Sequence, residues 1–98
     1  MYDPANVSGI GEYAVITETH NDRPRTRYEK SGITFLVVNP STIELRTDDR
    51  LRTLLTDKYE SVMQSRYFGR GGIEIVLAGA QLTADELDDL VRLSYNLS

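Results

Sequence analysis

The chain has 98 residues, 40% of them hydrophobic and 27% charged, with a formal net charge of −4. This composition belongs to one folded domain and excludes a disordered acidic chain. The absence of cysteine excludes disulfides and thiolate chemistry, and no run of hydrophobic residues, Phe35 to Val38 included, exceeds four residues, which is strand-sized rather than membrane-spanning.

Asp3-Pro4 has the form of a helix start, an N-cap followed by proline in the first turn. Val7, Ile10 and Tyr13 follow at helical spacing, which predicts a short N-terminal helix. Gly9 and Gly11 weaken that helix, and the β-rich run 13–19 suits a strand equally well. His20 to Pro24 reads as a loop. Thr26 to Lys30 and Ile33 to Val38, separated by Ser31-Gly32, predict a hairpin with a tight turn. A second turn at Asn39-Pro40-Ser41 leads to a third strand, Ile43 to Arg46.

A helix is expected from Thr47 or Asp48, with Leu51, Leu54, Leu55 and Tyr59 on one apolar stripe. The glycine-rich run Ser65 to Gly72 reads as a loop, and Ile73 to Ala78 as an apolar strand carrying one charge, Glu74. Thr83-Ala84-Asp85-Glu86 is a capping box that opens a final helix reaching about Asn96. The order, roughly α-β-β-β-α-β-β-α, predicts an α+β two-layer sandwich: an antiparallel sheet with helices packed on one face.

Five arginines are candidate contacts to nucleic acid. Arg23, Arg25 and Arg27 alternate, so an extended chain projects them from one face. Arg66 and Arg70 are interleaved with Tyr67 and Phe68, a composition suited to phosphate pairing and base stacking. The bland readings are a solvated edge strand protected by charge and two rings that anchor a turn to the core. An acidic chain approaches phosphates only if its positive charges are segregated onto one face.

Nothing in the sequence assembles a catalytic set. His20 is the only histidine and has no cysteine or second histidine with which to share a metal. Asp85, Glu86, Asp88 and Asp89 occupy consecutive helical directions and complement the helix dipole rather than forming an oxygen cage. No enzyme activity, cofactor or metal is expected. Met1-Tyr2-Asp3-Pro4 lacks the basic and apolar regions of a signal peptide, so a cytoplasmic location is expected.

One longer pattern runs through the second half. Tyr67 is followed by Gly69-Arg70-Gly71-Gly72-Ile73, a strand from Glu74 to Leu77, the acidic helix start Leu82 to Leu87, and the closing Ser94-Tyr95-Asn96-Leu97. Upstream stand Gly32-Ile33-Thr34-Phe35 and Leu54-Leu55. Over roughly residues 24–98 this pattern resembles the MmcQ/YjbR family, proposed double-wing DNA-binding proteins. The resemblance implies one MmcQ/YjbR-like domain over 1–98 with basic hairpins as wings and DNA as partner. Two positions depart from the family pattern: Ile73 stands where the family has tryptophan, and Ile33 where it has lysine. The element order also resembles secretion-chaperone-like folds, many of which act by binding another chain. The alternative expectation is therefore a protein-interaction or adaptor module, or a homodimer, without nucleic-acid binding.

Overall fold

The computed structural model describes residues 2–79 and 81–98. Two hairpins begin the sheet. Asn21 and Asp22, at φ 51° and 61°, make the two-residue turn between β1 (Ala14–His20) and β2 (Arg23–Lys30). Ser31 and Gly32, at φ 51° and 83°, make the turn into β3 (Ile33–Val38). Two successive left-handed residues match the right-handed twist of the flanking strands, and Asn, Asp and Gly tolerate them best. The loop expected over His20 to Pro24 is thus a two-residue turn, with Arg23 and Pro24 already in strand β2.

β4 (Thr42–Arg46), β5 (Val62–Ser65) and β6 (Gly69–Val76) complete a six-stranded antiparallel sheet in the order β1-β2-β3-β4-β6-β5. Helix α1 (Asp49–Lys58) precedes β5, and α2 (Ala84–Leu97) follows β6. The architecture is the expected α+β two-layer sandwich, with the N-terminal helix reduced to a 3-10 turn at Pro4–Asn6 and one strand, β1, added at the edge.

Alternation decides which face the helices cover. Leu36, Val38, Ile43, Leu45, Ile73 and Ile75 point to one side and form a buried cluster with Val91 and Tyr95 of α2. Leu55 and Tyr59 bring α1 and its C-terminal end onto the same cluster. A bulge adds to it. Pairing passes from Tyr28 opposite Leu36 to Glu29 opposite Thr34, so Phe35 is an extra residue in β3. Phe35 and Leu36, neighbours in sequence, therefore both enter the core. The Phe35 ring stands edge-to-face with Tyr95 at 5.0 Å and with Tyr13 at 6.0 Å.

The same irregularity parts β3 from β4, whose pairing begins at Leu36 and Leu45. The fully buried Ser94 fills the gap. Its hydroxyl donates to the Phe35 carbonyl at 2.6 Å and accepts from the Arg46 N–H at 2.7 Å. One serine of α2 thereby satisfies a buried donor and a buried acceptor that the ladder leaves open.

The N-terminal segment lies against α2 and is held by its side chains. The Tyr2 hydroxyl donates to Asp88, Arg92 donates to the Ser8 carbonyl, and the Tyr95 hydroxyl donates to the Glu12 carbonyl. Asp88, Arg92 and Tyr95 share one helical face. Gly9, at φ 82°, passes so close to Arg92 that a Cβ there would fall 2.9 Å from its Nε. The turn ends at Val7, which is already extended, and the left-handed Gly9 does not let a helix resume after it. Among the described residues, no helix is long and apolar enough to cross a membrane.

Candidate functional site

The side of the sheet away from the helices carries the charged side chains. Glu44 and Glu74, directly paired across β4 and β6, both point to it. They are nevertheless 3% and 1% exposed, because the connection between β5 and β6, Arg66 to Phe68, folds back over them.

Each carboxylate helps to hold that connection down. Glu74 receives one edge of the Arg66 guanidinium, Nε at 2.9 Å and Nη2 at 2.6 Å, and the Thr42 hydroxyl at 2.8 Å. Burial pushes the Glu74 carboxyl up, but the Arg66 and Thr42 hydrogen bonds outweigh it and hold the group below the ordinary value. Glu44 receives the Ser65 hydroxyl and the Tyr67 N–H on one oxygen, and the Asn39 amide on the other, each at 2.9 Å. Bonds of this kind satisfy the acceptor oxygens of a buried carboxyl group.

The rings complete the cover. Phe68 lies over Gly72, where β6 has no side chain, and the Arg46 guanidinium sits 4.8 Å from its centroid. Tyr67 stands edge-to-face with Phe68 at 4.8 Å, its hydroxyl meets Thr34 at 3.3 Å, and Arg25 lies over its ring at 5.2 Å. Tyr67 remains 37% exposed. The rings thus serve partly as anchors, with one of them still presented at the surface.

β2 pairs with β3 only from Thr26 onward, so the His20–Arg25 end of the first hairpin projects past the sheet. Between this projection, the β3–β4 turn and the Arg66-Tyr67 pair lies an open concavity of about 860 Å³. His20, Arg23, Arg25 and Arg66 bring basic groups to it, and Glu44 forms part of its wall.

Of the five arginines singled out by the sequence, the structure brings Arg23, Arg25 and Arg66 to this concavity. Arg27 is tied between Glu18 and Glu29, at 2.8 and 2.9 Å, and also donates to Thr34. Arg70 is exposed at the start of β6, where its carbonyl accepts from Arg52 of α1. Arg25 shares Glu18 with Arg27, and hydrogen bonds from Arg27 and then Arg25 hold the Glu18 carboxyl low. Among the described residues, Arg23 and Arg70 are the two of the five that make no ion pair.

Sequence reasoning missed Glu44 and Asn39 and gave Glu74 no role. A signal for the carboxylates existed in the matching triplets Ile43-Glu44-Leu45 and Ile73-Glu74-Ile75. Each reads as a strand with its polar residue turned to water, and only the folded-back connection makes the glutamates buried. Among the described residues, no group of three His, Asp or Glu side chains is placed to hold a metal ion. In comparisons with protein-family models, curated proteins and solved structures, no match to the chain was found.

Proposed function

We propose that the chain is an MmcQ/YjbR-like nucleic-acid-binding protein whose basic hairpins act as wings. The observation that supports this is the meeting of Arg23 and Arg25 from the first hairpin with Arg66 from the last at one concavity. It gathers three arginines on one face of a chain whose net charge is −4. Arg23 is the contact least committed to the fold, and Arg66, 69% exposed, still has donors beyond those given to Glu74. Arg27 and Arg70 contribute little in this arrangement, so three phosphate contacts are expected rather than five. Of the two departures from the family pattern, Ile73 lies in the core and Ile33 is exposed beside the β2–β3 turn. Neither lines the concavity.

Fluorescence anisotropy with labelled DNA across a salt series tests the proposal. Three contacts give a slope of about −2 to −3 in log K against log salt. Arg23→Ala weakens binding and flattens the slope by about one contact, whereas Arg70→Ala leaves both unchanged. Failure to bind at low salt overturns the reading.

One observation favours a second reading, an interaction module. β1 leaves an open edge of seven residues, paired without interruption to β2, with Val15 56% exposed and neither lysine nor proline to blunt it. At the opposite edge β5 is four residues long and irregular in register. Light scattering across a concentration series tests self-association through β1, and a strict monomer counts against it.

A further inference from the structure

We infer that the concavity takes unpaired, phosphate-bearing nucleotides in preference to duplex. This deepens the nucleic-acid reading above and rests on it. The first argument is shape. About 860 Å³ of concave space lies within the range of sites that enclose small molecules. One nucleotide with its flanking phosphate fits such a hollow, while a duplex is a convex rod that touches only the rim.

The second argument is charge. Proteins that hold duplex mainly by electrostatics neutralise many phosphates. Here Arg25 is shared with Glu18, Arg66 is seated on Glu74, and Glu44 lies in the wall, which leaves Arg23 as the one arginine of the site without an ion pair among the described residues. Such a field holds no more than about three phosphates and is too weak to align a polyanion. Further affinity has to come from contacts that are not electrostatic.

The third argument supplies those contacts. Tyr67 offers an aromatic surface, and the Arg25 guanidinium lies over its ring at 5.2 Å. Aromatic rings and guanidinium planes are the surfaces on which unpaired bases stack, and bases inside a duplex do not expose their faces to them. The platform is preorganised. The Tyr67 N–H is fixed by Glu44, its hydroxyl meets Thr34, and its ring leans on Phe68. Little side-chain freedom is lost when a base arrives.

The test uses the full chain, with anisotropy of a short labelled single strand, as DNA and as RNA, and of the same DNA sequence annealed to its complement. The single strands are expected to bind at least about tenfold tighter than the duplex, with a salt slope near −2. A mononucleotide should displace the single strand at concentrations where inorganic phosphate does not. Tyr67→Ala should weaken single-strand binding about tenfold or more, while Tyr67→Phe, which keeps the ring but loses the Thr34 bond, should restore most of that loss. Duplex binding equal to or tighter than single-strand binding overturns this inference and leaves the nucleic-acid reading standing. Equal competition by inorganic phosphate also overturns it, since the site would then recognise phosphate alone. No binding of any of the nucleic acids removes both readings. The single-strand-to-duplex ratio of the native chain decides the matter whatever the Tyr67 variants do to folding.

Discussion

Glu44 and Glu74 face each other directly across two neighbouring strands, and both are buried. Like charges in that relationship destabilise a sheet unless each has its own compensation. Here the compensation is divided: Arg66 and Thr42 serve Glu74, while Ser65, Tyr67 and Asn39 serve Glu44. Arg66→Ala leaves the Glu74 carboxylate with the Thr42 hydroxyl and the backbone at position 66. Breaking a buried pair costs ~3–5 kcal/mol, but Arg66 is largely solvated, so a loss of about 1–3 kcal/mol is expected. Glu74→Gln in the same chain should recover part of that loss by removing the uncompensated charge. Urea denaturation of the two single variants and the double variant measures the coupling. An Arg66→Ala variant as stable as the native chain would show that the clamp contributes nothing.

Acid should weaken the fold through Glu74 and through Glu18 of β1. Glu18 and Glu74 are both held below the ordinary glutamate value of 4.5. The unfolded chain therefore takes up protons at higher pH than the folded one. The stabilisation is complete above pH 4.5 and is lost as pH falls from there through the depressed folded values. Tyr2 works at the other end. Burial, followed by its bond to Asp88, raises its hydroxyl above the ordinary value of 10.0. Its contribution is present below pH 10 and lost above it. Thermal melts followed by circular dichroism should thus show a plateau near neutrality with an acid and an alkaline limb. Glu18→Gln with Glu74→Gln flattens the acid limb in part, since bonds to Thr83 hold Glu86 low as well, and Tyr2→Phe flattens the alkaline limb in part, since burial also raises Tyr28.

Ser94 is expected to be the most sensitive position on α2 for its size. Ser94→Ala removes the one hydroxyl that bonds both the Phe35 carbonyl and the Arg46 N–H. Each buried group left unpaired costs ~1–3 kcal/mol, so a total of about 2–6 kcal/mol is expected. Chemical denaturation measures it, and amide exchange at Arg46 should quicken well ahead of exchange at Ile43 or Leu45. A loss under ~0.5 kcal/mol would show that water enters and replaces the hydroxyl.

The features legible in the sequence are those whose partners are near in the chain. The Thr83–Glu86 capping box joins groups three residues apart and forms as read, with reciprocal bonds of 3.1 and 3.0 Å. The Ser31-Gly32 turn is likewise local, and the alternation of Arg23 and Arg25 needs only an extended backbone. The N-terminal segment was ambiguous because its conformation is set by Asp88, Arg92 and Tyr95, more than 80 residues away. The burial of Glu44 depends on Ser65 and Tyr67, and that of Glu74 on Arg66 in a three-residue connection; the glycines after it belong to β6 and not, as the sequence suggests, to a loop. The serine of the closing Ser-Tyr pair could be seen on the apolar face of α2, but its role exists only once Phe35 bulges out of the ladder with Arg46.

Gly72 tests that long-range part of the design most directly. Its φ is not in the left-handed region, so its need for glycine is one of space rather than backbone freedom. A Cβ at this position would press on the Leu45 carbonyl oxygen and lie 2.7 Å from the Phe68 Cβ. The carbonyl belongs to the neighbouring strand and cannot yield, so Phe68 has to lift or β6 has to shift. Either movement loosens the connection that carries Arg66 and Tyr67 over the buried carboxylates. Gly72→Ala should cost ~2 kcal/mol or more, whereas Gly71→Ala, whose Cβ would meet only the Phe68 carbonyl oxygen at 3.5 Å, should be close to neutral. Denaturation midpoints of the two variants measure the contrast. The fluorescence of Tyr67 and its neighbours, together with ligand binding, would then report whether the loss begins at the candidate site. Equal stabilities for the two variants would mean that the cover over Glu44 and Glu74 is not anchored at Gly72.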